Sequence, residues 1–243
     1  MAHSPKFIFH WQRFCWSMTG IGPEQKRRSS ASSPLIPSWP RFTTCTPYCF
    51  LTLGRLDEAI TEGRRALESD PLSLIYGRSL GMCLYFSRRY DEAVAQYHET
   101  LELDQNNVSV HELLGNAYER QGRHDEAIAE WQKTAVLTGD HELAASWGRA
   151  CAKGDLARAV RERARKNLEQ ANEKARRGEY VPAIEYAQAW VSIGDSEQAF
   201  CWLEKVCSER NGFSLLVNSD PLYHNLRADK RFEHLQKLIG FVA

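Results

Sequence analysis

Gly122-Arg-His-Asp-Glu-Ala-Ile-Ala-Glu-Trp131 is the third copy of one pattern. Gly54-Arg-Leu-Asp-Glu-Ala59-Ile and Arg88-Arg-Tyr-Asp-Glu-Ala93-Val precede it, and Ala59, Ala93 and Ala127 fall 34 residues apart both times. A constant period of this size belongs to stacked helical hairpins, units that bury their apolar faces only against neighbouring copies. The chain therefore reads as a stacked binding scaffold, and the pattern leaves the partner unnamed.

Working outward, helices are expected over Asp57–Ser69, Leu74–Ser87, Asp91–Leu103, Val108–Gln121 and Asp125–Leu137. Asp70-Pro71 stops the first of these, and Gly122 and Gly139 mark turns. A shortened unit follows with Trp147-Gly148 and Ala159, which lies 32 residues after Ala127. Leu156–Arg177 reads as one long helix, or as two broken near Asn167. Tyr180–Ile193 and Ser196–Ser208 form a further hairpin. The tail repeats itself, Asp220-Pro-Leu-Tyr223-His-Asn-Leu226 and then Asp229-Lys-Arg-Phe232-Glu-His-Leu235. Each copy reads as a short helix with an Asp N-cap and an aromatic and a leucine on one face.

Leu80-Gly81 with Leu84, Ala93, Tyr97 and Thr100, and Leu114-Gly115 with Tyr118, Ala127, Trp131 and Thr134, resemble the tetratricopeptide repeat signature. The packing reason is that Gly81 and Gly115 let two helices approach, while Ala93 and Ala127 are small where helices cross. Thr100 and Thr134 stand where that family usually has alanine, and Arg88 where it usually has glycine. The resemblance implies an all-α, right-handed superhelical solenoid of antiparallel hairpins, closed by a C-terminal pair of short capping helices. The ending from Tyr180 is similar to the C-terminal part of bacterial signalling proteins in which such arrays follow a kinase, an adenylate cyclase or a winged-helix domain. None of the phosphate-loop, catalytic or winged-helix patterns of those domains precedes the repeats. The expectation is thus a sensor or scaffold portion alone, with cytoplasmic localisation.

Three regions are expected: residues 1–49, irregular; 50–178, the repeat array; and 179–243, a degenerate hairpin with its cap. Residues 1–50 hold six Lys or Arg and a single acid, Glu24, leaving 25 basic against 30 acidic residues beyond. This Ser-, Pro- and Arg-rich stretch has three readings: a disordered tail, an organelle transit sequence or basic nucleic-acid patch at Lys26-Arg-Arg28, and out-of-frame translation of an upstream repeat. The third rests on codons that, shifted to the third base, permit Asn-Pro from Leu35 and His-His-x-Tyr from Phe42. One inserted nucleotide near codons 46–51 would then explain where the period fails.

No run of about 18 apolar residues is present to span a membrane. Seven cysteines without a Cys-x-x-Cys pair fit neither a disulfide framework nor a zinc site, and Cys83, Cys201 and Cys207 read as reduced core thiols. The eight histidines show no ligand spacing, so no metal or cofactor is expected. His98, His111, His124 and His141 read as surface or packing residues, and no catalytic constellation is expected. The recurring Asp57-Glu58, Asp91-Glu92 and Asp125-Glu126 read as capping and dipole residues of a helix's first turn.

Stacked hairpins generate a concave groove. The family resemblance places Ile75, Arg78, Met82, Tyr85 and Phe86 on it from one repeat and Ser109, Glu112, Asn116, Glu119 and Arg120 from the next. The first set is mostly apolar and the second mixed, which suits a segment of a partner protein; Met82 and Phe86 equally suit packing between helices. The carboxylate clamp of chaperone-binding members is not reproduced, because Glu112 stands where a cation is wanted. The Arg-rich run at Arg158, Arg161, Arg163 and Arg165 is interleaved with Glu162 and Glu169, so a solvated face is expected there and nucleic acid is not the expected partner.

Overall fold

The computed structural model describes Pro47, Phe50, Leu51 and residues 54–152, 156–209 and 216–239. The irregular segment expected over 1–49 lies outside these residues apart from Pro47, which is helical, as are Phe50 and Leu51. Helix α1 (Leu56–Ser69) leads into the hairpins α2 (Leu74–Phe86) with α3 (Tyr90–Leu103), and α4 (Val108–Arg120) with α5 (His124–Leu137). Helices α6 (His141–Cys151), α7 (Leu156–Arg176), α8 (Ala183–Ile193) and α9 (Ser196–Glu209) follow, then a 3-10 turn (Pro221–Leu226) and α10 (Lys230–Ile239). From α1 to α9 each helix packs on the next, giving an all-α solenoid of antiparallel hairpins.

Local chemistry sets the helix starts. Ser73 and Asn107, equivalent positions of successive repeats, cap α2 and α4 by accepting the Tyr76 and Val110 N–H groups at 3.4 and 3.2 Å. Before α1, α3 and α5 the chain instead places Arg55, Arg89 and Arg123, whose guanidiniums clasp Glu58, Glu92 and Glu126. The acidic pairs occupy first turns as expected, and their glutamates are clasped by the preceding arginine. That arginine keeps the Glu92 and Glu126 carboxyls below their ordinary range.

The hairpins close at Gly81 and Gly115. A Cβ on Gly81 would collide with the Tyr97 ring, and one on Gly115 with the Trp131 ring. Both rings are fully buried, and Ala93 and Ala127 have no exposure. Arg88 adopts φ 60 at the turn where Gly54 and Gly122 have φ 70 and 74. It takes the left-handed conformation without glycine's freedom.

Helix α7 runs unbroken through Asn167, as the reading of one long helix expects. Other expectations are corrected. Helix α8 starts at Ala183, because Pro182 takes its N-cap position and leaves Tyr180 and Val181 outside the helix. Cys201 is exposed, whereas Cys83 is buried and Cys207 half-buried, and burial pushes both of those thiols up to about 12. The first tail copy is a 3-10 turn, with Tyr223 and Leu226 buried; the second is the α-helix α10, with Phe232 and Leu235 buried.

Glu130 is buried. His111 occupies the position held by Gly77 one repeat earlier, and its Nδ1 meets the Glu130 carboxylate at 2.6 Å. The other ring nitrogen donates to the Gln105 carbonyl at 2.9 Å, and Lys133 reaches Glu130 at 2.8 Å. Gly77 leaves no such room, since a Cβ there would collide with the Thr100 side chain, whereas at 111 the Glu130 carboxylate satisfies the larger imidazole.

Three cores result. One runs from Phe50 through the hairpins to Trp147 and Ala159 and includes Leu216 from the C-terminal segment. Another joins α8 and α9 to Val217, Tyr223, Leu226, Phe232 and Leu235. A smaller one, Ala164, Leu168, Ala171, Tyr186 and Ala189, joins α7 to α8. Among the described residues no helix is long and apolar enough to cross a membrane.

Candidate partner-binding site

The two repeat surfaces predicted to form a groove converge on one cavity of about 430 Å³. Met82, Tyr85 and Phe86 of α2 and Glu112, Asn116, Glu119 and Arg120 of α4 line it. Ile75, Arg78 and Ser109 lie outside it, towards the helix N-termini. There Ile75 is 55% exposed and Arg78 donates to the Ser109 hydroxyl at 3.4 Å. Tyr85 and Phe86 are each only 8% exposed, so this face is not the open apolar surface expected. They meet edge to face with centroids 5.7 Å apart and belong to the repeat core, the packing role that also suited Phe86.

The opposite wall comes from residues that no repeat signature marked. Arg163, Asn167, Gln170 and Lys174 of α7 and Glu185, Gln188 and Ser192 of α8 face the same space, with Asp220 and Leu222 at its edge. Arg163, from the Arg-rich run, is turned inward. It donates to Asn116 at 3.0 Å, pairs with Glu112, and lies 4.7 Å from the Trp131 ring centroid. Arg158 pairs with Glu162 at 2.8 Å and Lys166 with Asp140 at 3.3 Å, while Arg161 and Arg165 are exposed. The run is thus partly internal structure and not one continuous solvated face.

At the cavity's edge Arg120 hydrogen-bonds the Tyr85 hydroxyl. Burial pushes that phenol well above its ordinary range, against the opposing pull of Arg120. Burial also pushes the Asp220 carboxyl up to about 6, with Arg120 and Arg227 pulling it back. Chemically the cavity offers amides from Asn116, Asn167, Gln170 and Gln188, which pair with a peptide backbone, and charges of both signs from Glu119, Glu185 and Lys174. Among the described residues no cluster of His, Cys, Asp and Glu suited to a metal ion occurs.

The architecture is that of a helical-repeat solenoid. Residues 79–150 match the family model described as tetratricopeptide repeat, so the chain carries repeats of this kind over the two hairpins that build the cavity's first wall. Solved structures similar to the chain include MamA AMB-1, with 26% identity and a TM-score of 0.39 over 42% of this chain and 61% of that one. They also include MamA MSR-1, with 22% identity and a TM-score of 0.43 over 71% of this chain and 94% of that one. The chain therefore spans about three fifths of the length of the first. No curated protein matches it.

Proposed function

We propose that the chain is a non-enzymatic scaffold that holds an extended segment of a partner protein in the cavity bounded by α2, α4, α7 and α8. The carrying observation is the convergence of two successive repeats and two later helices on one space lined by amides and by charges of both signs. An extended segment exposes unpaired backbone donors and acceptors, which side-chain amides satisfy. Charges fix its register, and the edge-to-face aromatics Tyr85 and Phe86 supply an apolar wall.

Site-specific photo-cross-linking tests this. A photoreactive residue at Asn116 or Gln188, in the full chain expressed in its own cells, is expected to capture the same protein, identified by mass spectrometry. The same residue at Glu99 on α3 or Glu204 on α9 is expected to capture none of it. Capture confined to Glu99 and Glu204 would place the partner on the outer surface and overturn the reading.

A further inference from the structure

The C-terminal turn has two differently bonded faces. Val217, Tyr223 and Leu226 are buried with Phe200, Leu203 and Val206 of the α8 and α9 unit. Leu216, in contrast, belongs to the core of the repeat hairpins, while Leu222 packs on the α8 and α9 unit and lines the cavity. A short stretch of chain thus joins the α8 and α9 unit to the repeat hairpins.

Asp220 sits at this seam. Its buried carboxylate accepts the Leu222 N–H at 2.9 Å. Facing it are Arg120 from α4, Tyr85 from α2, Tyr90 from α3, and Tyr223 and Arg227 from the turn itself. Arg88 stands behind Tyr90 and Arg227, and Glu119 behind Tyr85 and Arg120. Arg227 directs its guanidinium to the Asn218 and Asp220 carbonyls, at 2.9 and 2.8 Å.

The seam is poorly satisfied. Arg120 Nε and Arg227 Nε are buried there without a hydrogen-bond partner. Unsatisfied polar groups around a buried carboxylate oppose the contact they sit in, whereas the apolar side chains that hold the turn onto α8 and α9 favour theirs. The buried polar cost therefore falls on the side of the repeats, while the side towards α8 and α9 is apolar.

We propose that the contact of Leu216 and Asp220 with the repeat hairpins is a latch that closes the solenoid over the cavity, and that partner segments enter when it opens. Its second half rests on the partner-binding reading above. The charge at the seam gives the latch a direction in pH. Burial raises the Asp220 carboxyl from 3.8 to about 6 in the closed state, so closure binds a proton. Closure is favoured most below the ordinary value and loses that advantage as pH rises through about 6. It is expected to be about tenfold more favourable near pH 5 than above pH 7.

The test is energy transfer in the full chain between dyes attached through unnatural amino acids at Glu99 on α3 and Glu233 on α10. Transfer is expected to fall between about pH 5 and pH 7.5 in the wild type. Asp220→Asn keeps an N-cap acceptor and has no charge to bury, so transfer stays high throughout. Leu216→Asn gives low transfer throughout, with hydrogen exchange in α9 unchanged as evidence that the terminal unit remains folded. Equal transfer in all three proteins, or a fall with pH that persists in Asp220→Asn, overturns the latch. Photo-cross-linking from Asn116 in the same variants separates this proposal from the one it rests on. Capture that rises in Leu216→Asn and drops in Asp220→Asn supports both. Transfer that follows pH with no cross-link from Asn116 supports the latch and overturns the cavity as the partner site, and unchanged transfer with abundant cross-links overturns the latch alone.

Discussion

Glu130 shows how much one side chain's surroundings decide. On a helical wheel it falls among polar positions, yet its carboxylate is tied to His111 and Lys133 and is 7% exposed. Removing one partner of a buried pair leaves the other uncompensated, so Glu130→Ala is expected to cost about 3 kcal/mol in urea unfolding, while His111→Ala together with Glu130→Ala costs less than the sum. Arg88 presents the opposite case, a residue whose backbone works against it. Its φ of 60 suits glycine, so Arg88→Gly is expected to raise stability by about 0.5 to 1 kcal/mol, read as a higher melting midpoint.

At the scale of elements, stability rests on how closely helices cross. Ala127 is fully buried, and its carbonyl lies 3.2 Å from where a Cβ on Gly115 would stand. Ala127→Leu is therefore expected to overpack the α4–α5 hairpin at a cost of about 1 to 3 kcal/mol, whereas a leucine at exposed Ala95 on α3 costs almost nothing. Equal shifts in the two denaturation curves would contradict the packing described. Helix α7 is held differently, by Arg163 reaching Glu112, Asn116 and the Trp131 ring. Arg163→Ala is expected to cost about 1 to 2 kcal/mol and to speed amide exchange in α7 before that in α3. Charge reversal at Arg163 is consequently no neutral control for partner binding, whereas reversal at exposed Arg161 and Arg165 is.

For the whole molecule, the described core begins at Phe50 and continues hairpin by hairpin. A solenoid's stability is approximately a sum over repeats and their interfaces, so an N-terminal stretch outside the period adds little. Deleting residues 1–45 is expected to leave the melting curve nearly unchanged, and a cooperative loss of helicity in the shortened chain would show that this stretch packs on the repeats.

The sequence alone determined what depends on near neighbours. A period of 34 residues and the small residues at Gly81, Ala93, Gly115 and Ala127 act within one hairpin or between adjacent ones, so their spacing carries the information. Helix identity and most helix limits followed, as did the placing of seven cavity residues on α2 and α4. The tertiary structure alone decided how far the solenoid curves, because curvature is the accumulated sum of small rotations between units and no single residue encodes it. That curvature brings Arg163 to Glu112 across 51 residues of chain. It also sets α8 opposite α2, buries Tyr85, and seats Asp220 beside Arg120. The second wall of the cavity and the seam that closes it belong to that long-range geometry, which a local pattern does not record.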